Sequence, residues 1–269
     1  MCTSPITLNK FNRVSKKVFQ YTVPCGKCAD CLSKKQNEVA ALSVLEANAA
    51  TSLFFFTFTY DDKHLPIAIS EPDESGSPTL VGFTRFGNMP PTPAFTPNDV
   101  RQIDGLYYAA SPCREDIKIT LKRFRSIWQR HYPDVPLDFR YLVFSELGEK
   151  YGRPHFHGLF YSLTRQQAYK LRDIWQNSFG YVDCEEILPK SDLSDYSAVS
   201  KYVSKYISKG PYSRWSWLYP YIEKPRRQSS LGFGLKDVPI DSLLFFTHAE
   251  ICAEEVFHPE CPNLRMCKK

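Results

Sequence analysis

The chain has 269 residues, 43% of them hydrophobic, and a formal net charge of +5. That length can bury a substantial core as one domain with attachments, and no run approaches the ~20 apolar residues of a membrane-crossing helix. The charge is uneven: residues 1–35 hold seven basic side chains and one acidic, residues 201–227 also hold seven and one, and residues 61–104 lean acidic.

In chain order, residues 1–24 read as a basic arm with a short strand at 17–23. Cys25, Cys28 and Cys31 follow at C-x2-C-x2-C spacing, close enough for thiolates to share a zinc ion. A ferredoxin-type cluster expects a further cysteine at position 35, which is Lys35. A fourth ligand would come from Cys113, Cys184, Cys252, Cys261 or Cys267; the alternative is three ordinary thiols at a helix start. The nine cysteines are an odd number, with no apolar signal core at the N-terminus, which favours a reducing compartment over a disulfide framework.

Residues 30–50 are alanine-rich with Leu32, Val39, Leu42 and Leu45 partly in helical register. Residues 53–60 alternate little between apolar and polar, as a central strand buried on both faces does. Residues 61–112 are rich in proline, glycine and serine and read as a long loop insertion. Ser111-Pro112 opens a helix with Glu115 and Asp116 in its first turn and a core stripe of Ile117, Leu121, Phe124 and Trp128. Its other face carries Lys118, Lys122, Arg123, Arg125 and Arg130, which suits either a phosphate backbone or plain solvation. Two strands, 140–145 and 154–161, are joined by a turn. Thr164 with Gln167 forms a capping box for a helix ending near Phe179, and residues 180–187 give a further strand. Residues 194–209 read as a last helix: Ser194 at the N-cap, a stripe of Val199, Val203 and Ile207, and Gly210-Pro211 at the end. Residues 211–269 read as an irregular tail in which Trp215, Trp217, Tyr219 and Tyr221 either stack on bases or cover the core. The predicted plan is α+β: an antiparallel sheet with helices on one face, close to a ferredoxin-like unit.

Two motifs carry the chemistry. His155 and His157 are two apart on a strand, so both imidazoles share one face and can chelate a divalent cation. Glu146, nine residues earlier, comes back opposite them if the two strands form a hairpin. Two nitrogens and a carboxylate with open positions suit Mn²⁺ or Mg²⁺ acting on a phosphate oxygen. On the pair alone, two exposed strand histidines without a ligand would look the same. Tyr202 and Tyr206 lie four apart on the last helix, each followed three residues on by a lysine, Lys205 and Lys209. An ammonium beside a phenol favours the nucleophilic phenolate and can hold a phosphate; solvated side chains at a helix edge are the plain alternative. Together the two motifs read as a metal-assisted tyrosine nuclease for single-stranded DNA.

These residues resemble the HUH endonucleases, which initiate rolling-circle replication. The run Tyr202 to Lys209 is similar to the two-tyrosine initiators of small icosahedral single-stranded DNA phages. The segments Pro24-Cys25-Gly26-Lys27-Cys28, Thr57-Phe58-Thr59-Tyr60 and Gly152-Arg153-Pro154-His155-Phe156-His157 point to their gokushovirus branch. The resemblance covers most of residues 24–210. It implies an HUH core over 25–210 and Glu146 as third metal ligand. It also implies site-specific nicking of viral DNA through a 5′-phosphotyrosine link, a free 3′-hydroxyl primer and rejoining of the displaced strand into a circle. Single-stranded viral DNA and the replicative-form origin would be the substrates, with Lys118, Lys122, Arg125 and Arg153 as DNA contacts. Host helicase and polymerase would be partners, in the cytoplasm of a bacterial host and away from any membrane. Two rivals remain at this point: a non-enzymatic zinc-containing nucleic-acid-binding protein, and a metal phosphodiesterase using water.

Overall fold

A computed structural model describes residues 2–12, 14–89, 99–188, 213–231 and 233–234. These lie in one compact unit, residues 1–234. The predicted helix at 194–209, with Tyr202, Lys205, Tyr206 and Lys209, and the residues beyond 234 lie outside the described residues. No helix among those described is long and apolar enough to cross a membrane.

The centre is a five-stranded antiparallel sheet. Its order is β10 (Gly180–Glu186), β3 (Leu53–Tyr60), β9 (Pro154–Tyr161), β8 (Arg140–Leu147) and β11 (Arg227–Ser229). The expected α+β plan holds. Side chains of a strand alternate between faces, and here the two faces differ in kind. Phe54, Phe56, Phe58 and Tyr60 of β3 share one face with Phe156 and Phe160 of β9, and all are buried. On them pack α2 (Arg114–His131), through Ile117, Leu121, Phe124 and Trp128, and α3 (Arg165–Gln176), through Leu171 and Trp175. Thr164 and Gln167 close the expected capping box on α3.

The expectation of helices on one face describes α2 and α3. A third helix, α1 (Ala29–Asn48), packs on the opposite face, at one end. Its Val39 and Ala47 meet Leu53, Leu142, Leu159 and Tyr161, and the Ser43 and Tyr161 hydroxyls lie 2.6 Å apart. Buried Glu46 pairs with Arg140 at 3.2 Å and accepts the Gly234 N–H at 2.7 Å. The alanine-rich sequence signalled a helix but gave no indication of which face it would cover.

Two expectations are corrected. Residues 61–112, read as a loop, fold into a four-stranded antiparallel sheet. It consists of β4 (Pro66–Pro72), β5 (Pro78–Arg85), β6 (Val100–Ile103) and β7 (Leu106–Ala110), in the order β5-β4-β7-β6. The strands are short and separated by proline and glycine, so the turn residues hid them. One hairpin signal was present: Asp104-Gly105 joins β6 to β7 with φ of 50° and 82°, the positive pair that a two-residue I′ turn requires. The tail, read as irregular, returns to the main sheet as β11, which pairs with β8. Before that, Trp215, Leu218 and Ile222 pack on Ala68, Ala109 and Leu147. Of the tail aromatics, Trp215 is therefore core, while Trp217 is 50% exposed.

The four-stranded sheet is locked to the core through Asp116. This buried carboxylate accepts two bonds from Arg85 of β5, at 2.5 and 2.9 Å, and one from the Tyr60 hydroxyl at 2.7 Å. Burial, reinforced by the Asp116 charge, holds the Tyr60 phenol protonated well above its ordinary range. Removing one partner strands the others in a dry site. Asp116→Ala is expected to cost ~3–5 kcal/mol in urea unfolding; a loss below ~1 kcal/mol would show that the lock is dispensable.

Candidate functional site

The site is built by the β8–β9 hairpin. Its turn is closed by the Gly148 N–H bonding to the Arg153 carbonyl at 2.9 Å and the Gly152 N–H to the Gly148 carbonyl at 2.8 Å. Gly152 sits at φ 65°, where glycine is favoured. The resulting register sets Glu146 directly across from His155, as the spacing suggested. On the next strand over, Thr57 stands across from His157.

The three side chains converge. Glu146 Oε2 lies 3.8 Å from His155 Nε2 and 3.5 Å from His157 Nε2. Their ligand atoms form one candidate metal group, with side-chain exposures of 13–16%. Both rings are held from behind. His155 Nδ1 is 3.0 Å from the Arg153 carbonyl, which can only accept, so Nδ1 carries the proton and Nε2 presents its lone pair. His157 Nδ1 is 3.2 Å from the Thr57 hydroxyl, and Phe55 stacks on the same ring at 5.7 Å and 14°. Bonds of ~2.0–2.2 Å put neighbouring ligand atoms ~3.0–3.6 Å apart, so a small closure around a cation satisfies all three. The N₂O donor set fits Mn²⁺ or Mg²⁺ with positions open to a phosphate.

Other expected site residues fall elsewhere. Gly158, next to His157 on β9, belongs to the opposite face: a Cβ there would lie 2.9 Å from Phe160 Cε2 and 3.0 Å from Val143 Cγ2. Its missing side chain makes room for the core. Lys118, Lys122 and Arg125 are exposed on α2. Because α2 packs on the Phe156 and Phe160 face, they lie across the sheet from the histidines. Lys118 pairs with Glu115 at 2.9 Å, and Arg125 stacks over Phe139 at 4.9 Å. Arg153 is engaged within the fold, donating to the Tyr60 carbonyl at 2.6 Å and to Asp62 at 2.8 Å. Sequence reasoning missed two neighbours of the triad, Thr57 and Tyr219. The Tyr219 phenol is pushed up by burial, with the Glu146 charge adding to the shift and Ser213 opposing it.

The cysteines gather at a second place. Cys25, Cys28 and Cys31 are joined by Cys2, all four sulfurs lying within 4.8 Å of one another. Among the described residues, the fourth position is taken by Cys2, which was not one of the expected fourth ligands. Cys113 and Cys184 lie outside the group, their thiols each pushed up to about 11 by burial, and Cys252, Cys261 and Cys267 fall outside the described residues. Within the group, backbone N–H groups of Thr3 and Cys31 bring the Cys28 thiol down to about 5, and hydrogen bonding to Cys28 raises Cys31 to about 12.

Comparison with known proteins bears on this geometry. A family profile of replication-associated proteins, the ORF2 type, matches residues 105–211, a span containing Glu146, His155 and His157. The chain is 23% identical over 225 residues to Replication-associated protein ORF4 of Chlamydia phage 1, covering 77% of this chain and 42% of that protein. It is 22% identical over 213 residues to Replication-associated protein VP4 of Bdellovibrio phage phiMH2K, covering 74% and 53%. The chain thus spans about half the length of the curated relatives it matches. No solved structure matches it. The chain is thus similar to replication-associated proteins of phages, the kind of protein its motifs resemble.

Proposed function

We propose that this protein initiates rolling-circle replication of a single-stranded DNA phage by nicking the origin through a tyrosine and later rejoining the displaced strand. The observation that carries this reading is the convergence of Glu146 Oε2 with two outward-turned imidazole Nε2 atoms on one sheet face. The relatives' names, replication-associated proteins of phages, point the same way.

The roles follow from the residues. Glu146, His155 and His157 would hold Mn²⁺ or Mg²⁺, which supplies Lewis-acid polarisation of the scissile phosphate. The Arg153 carbonyl keeps the His155 proton on Nδ1 and leaves its Nε2 lone pair for the cation, and the Thr57 hydroxyl hydrogen-bonds His157 Nδ1 from behind. Tyr202 or Tyr206, deprotonated beside Lys205 or Lys209, attacks phosphorus. The P–O3′ bond breaks, a phosphotyrosine ester forms on the 5′ side, and the departing 3′ oxygen takes a proton to become the primer. One ester replaces another, so the reverse reaction seals DNA without ATP. The second tyrosine can cut after one round and release a unit-length circle. Single-stranded viral DNA and the replicative-form origin are the substrates, and host helicase and polymerase unwind and copy. The basic face of α2 lies across the sheet from the metal ligands, so it can serve only as a contact remote from the scissile bond.

Divalent-cation binding tests the site apart from DNA. Titration with Mn²⁺, followed by electron paramagnetic resonance, should show one site lost in Glu146→Ala and His157→Ala. Thr57→Val, which keeps shape but removes the hydroxyl behind His157, should weaken it by ~10–100-fold. Binding unchanged in Glu146→Ala would remove that carboxylate from the site.

Nicking is tested with a labelled single-stranded origin oligonucleotide and Mn²⁺. A denaturant-resistant protein–DNA adduct is expected, abolished by excess EDTA and in Tyr202→Phe/Tyr206→Phe. Each single Phe variant should still form an adduct but fail to circularise. Cleavage without any adduct would favour water as nucleophile, and binding without cleavage a non-enzymatic role.

A further inference from the structure

The arm at residues 6–23 poses a physical question. It is a hairpin of β1 (Ile6–Asn12) and β2 (Lys17–Val23), in register from Ile6↔Val23 to Asn12↔Lys17. Every residue of β1 is exposed, and only Phe19 and Val23 of β2 are half-buried. A two-stranded hairpin alone is marginal in water, and this one lends no side chain to the core clusters. Burial in those clusters does not fix it.

The cysteines stand where such a fastening would be. Cys2 precedes β1 and Cys25 follows β2, so they are the two feet of the hairpin. Cys28 and Cys31 are the N-cap and third residue of α1. From the distances and surrounding donors we infer that Cys2, Cys25, Cys28 and Cys31 bind one Zn²⁺ as a tetrathiolate and thereby staple both feet of the hairpin to the start of α1. Zinc–sulfur bonds of ~2.3 Å in a tetrahedron hold sulfurs ~3.8 Å apart. Cys2 Sγ and Cys28 Sγ are 3.9 Å apart, and all four sulfurs lie within 4.8 Å. Backbone donors are already aimed at the sulfurs: Lys27 and Cys28 N–H at Cys25 Sγ, 3.4 and 3.3 Å, and Cys25 N–H at Cys2 Sγ, 3.3 Å. Gly26, at φ 69°, makes the turn that directs two of them. Such donors offset thiolate charge, as does the N-terminal end of α1. The one carboxylate in residues 1–31, Asp30 in the first turn of α1, is exposed. The stapled hairpin then presents Lys10, Lys16 and Lys17, with Phe11 and Tyr21 also exposed, as a rigid basic ribbon suited to a phosphate backbone.

The test uses the full chain purified in reductant without chelators. Elemental analysis should find one zinc released by a mercurial that titrates thiols. Exchange with Co²⁺ should give intense sulfur-to-cobalt charge transfer, retained in His155→Ala/His157→Ala, which separates this site from the histidine one. Cys2→Ser should weaken zinc by more than ~100-fold, and Cys2→His, which keeps a ligand there, should restore most of it. Hydrogen exchange should show residues 6–23 protected with zinc and open in Cys2→Ser. Failure to bind zinc, iron–sulfur absorbance in its place, wild-type zinc affinity in Cys2→Ser, or a hairpin equally protected without metal would each overturn the proposal.

Discussion

The structure depends on the register of β9 between β3 and β8. Side chains on a strand alternate with a period of two, so a slip of one residue exchanges every side chain between faces. In the observed register Phe156 and Phe160 enter an aromatic cluster with Phe56, Phe58, Tyr60 and Trp175, at ring separations of 4.9–6.1 Å. His155 and His157 then face outward beside Glu146. A slip would drive two imidazoles into the dry core and expose two phenylalanines, each stabilised by ~1.5–3 kcal/mol on burial. The same apolar packing that holds the sheet together thus fixes where the candidate ligands point. Gly158 belongs to this constraint, because its lack of a side chain lets Phe160 and Val143 close on β9.

The outward face is itself divided. At one end α1 covers Leu53, Leu142, Leu159 and Tyr161. Further along the same strands and on the same face come His157, His155 and Glu146, with side-chain exposures of 13–16%. Partial shielding strengthens electrostatic interactions with a bound cation, and the remaining exposure admits a phosphate. Phe55 and Thr57 come from a different strand to support His157, so its orientation rests on sheet pairing and not on a mobile loop.

What sequence could and could not show follows the range of the interactions. The core stripe of α2, the capping box of α3 and the Phe-rich central strand are local patterns, and each was read correctly. The histidine pair was readable because a strand's period is fixed, and Glu146 because a short turn returns it to a calculable place. The four-stranded sheet at 66–110 was missed because its short strands are bracketed by the prolines and glycines that mark loops. Strand β11 was missed because three residues, Arg227–Ser229, carry no periodicity and join the sheet only by pairing with β8. The basic face of α2 was seen, but local pattern cannot say on which side of a sheet a helix will pack. Arg153, expected as a DNA contact, also ties the hairpin to Tyr60 and Asp62, which local pattern could not show.

The two candidate metal groups are assembled by one device, the antiparallel hairpin. An antiparallel ladder brings a residue before the turn beside a residue after it. In β8–β9 that places Glu146 across from His155, nine positions on. In β1–β2, carrying the register four residues past Ile6↔Val23 brings Cys2 alongside Lys27, between Cys25 and Cys28. The first return is short enough to infer from spacing; the second spans a hairpin whose exposed strands give little alternation to read. A search for the fourth cysteine downstream of Cys31 passes over Cys2, although Cys2 is the nearest in sequence, while pairing geometry leads to it. The consequence differs in each case. The histidine hairpin is already rigid, locked in a five-stranded sheet, so ligand geometry there is preorganised before any cation binds. The arm hairpin has no such support, so the binding energy of a metal at its feet would also be its folding energy.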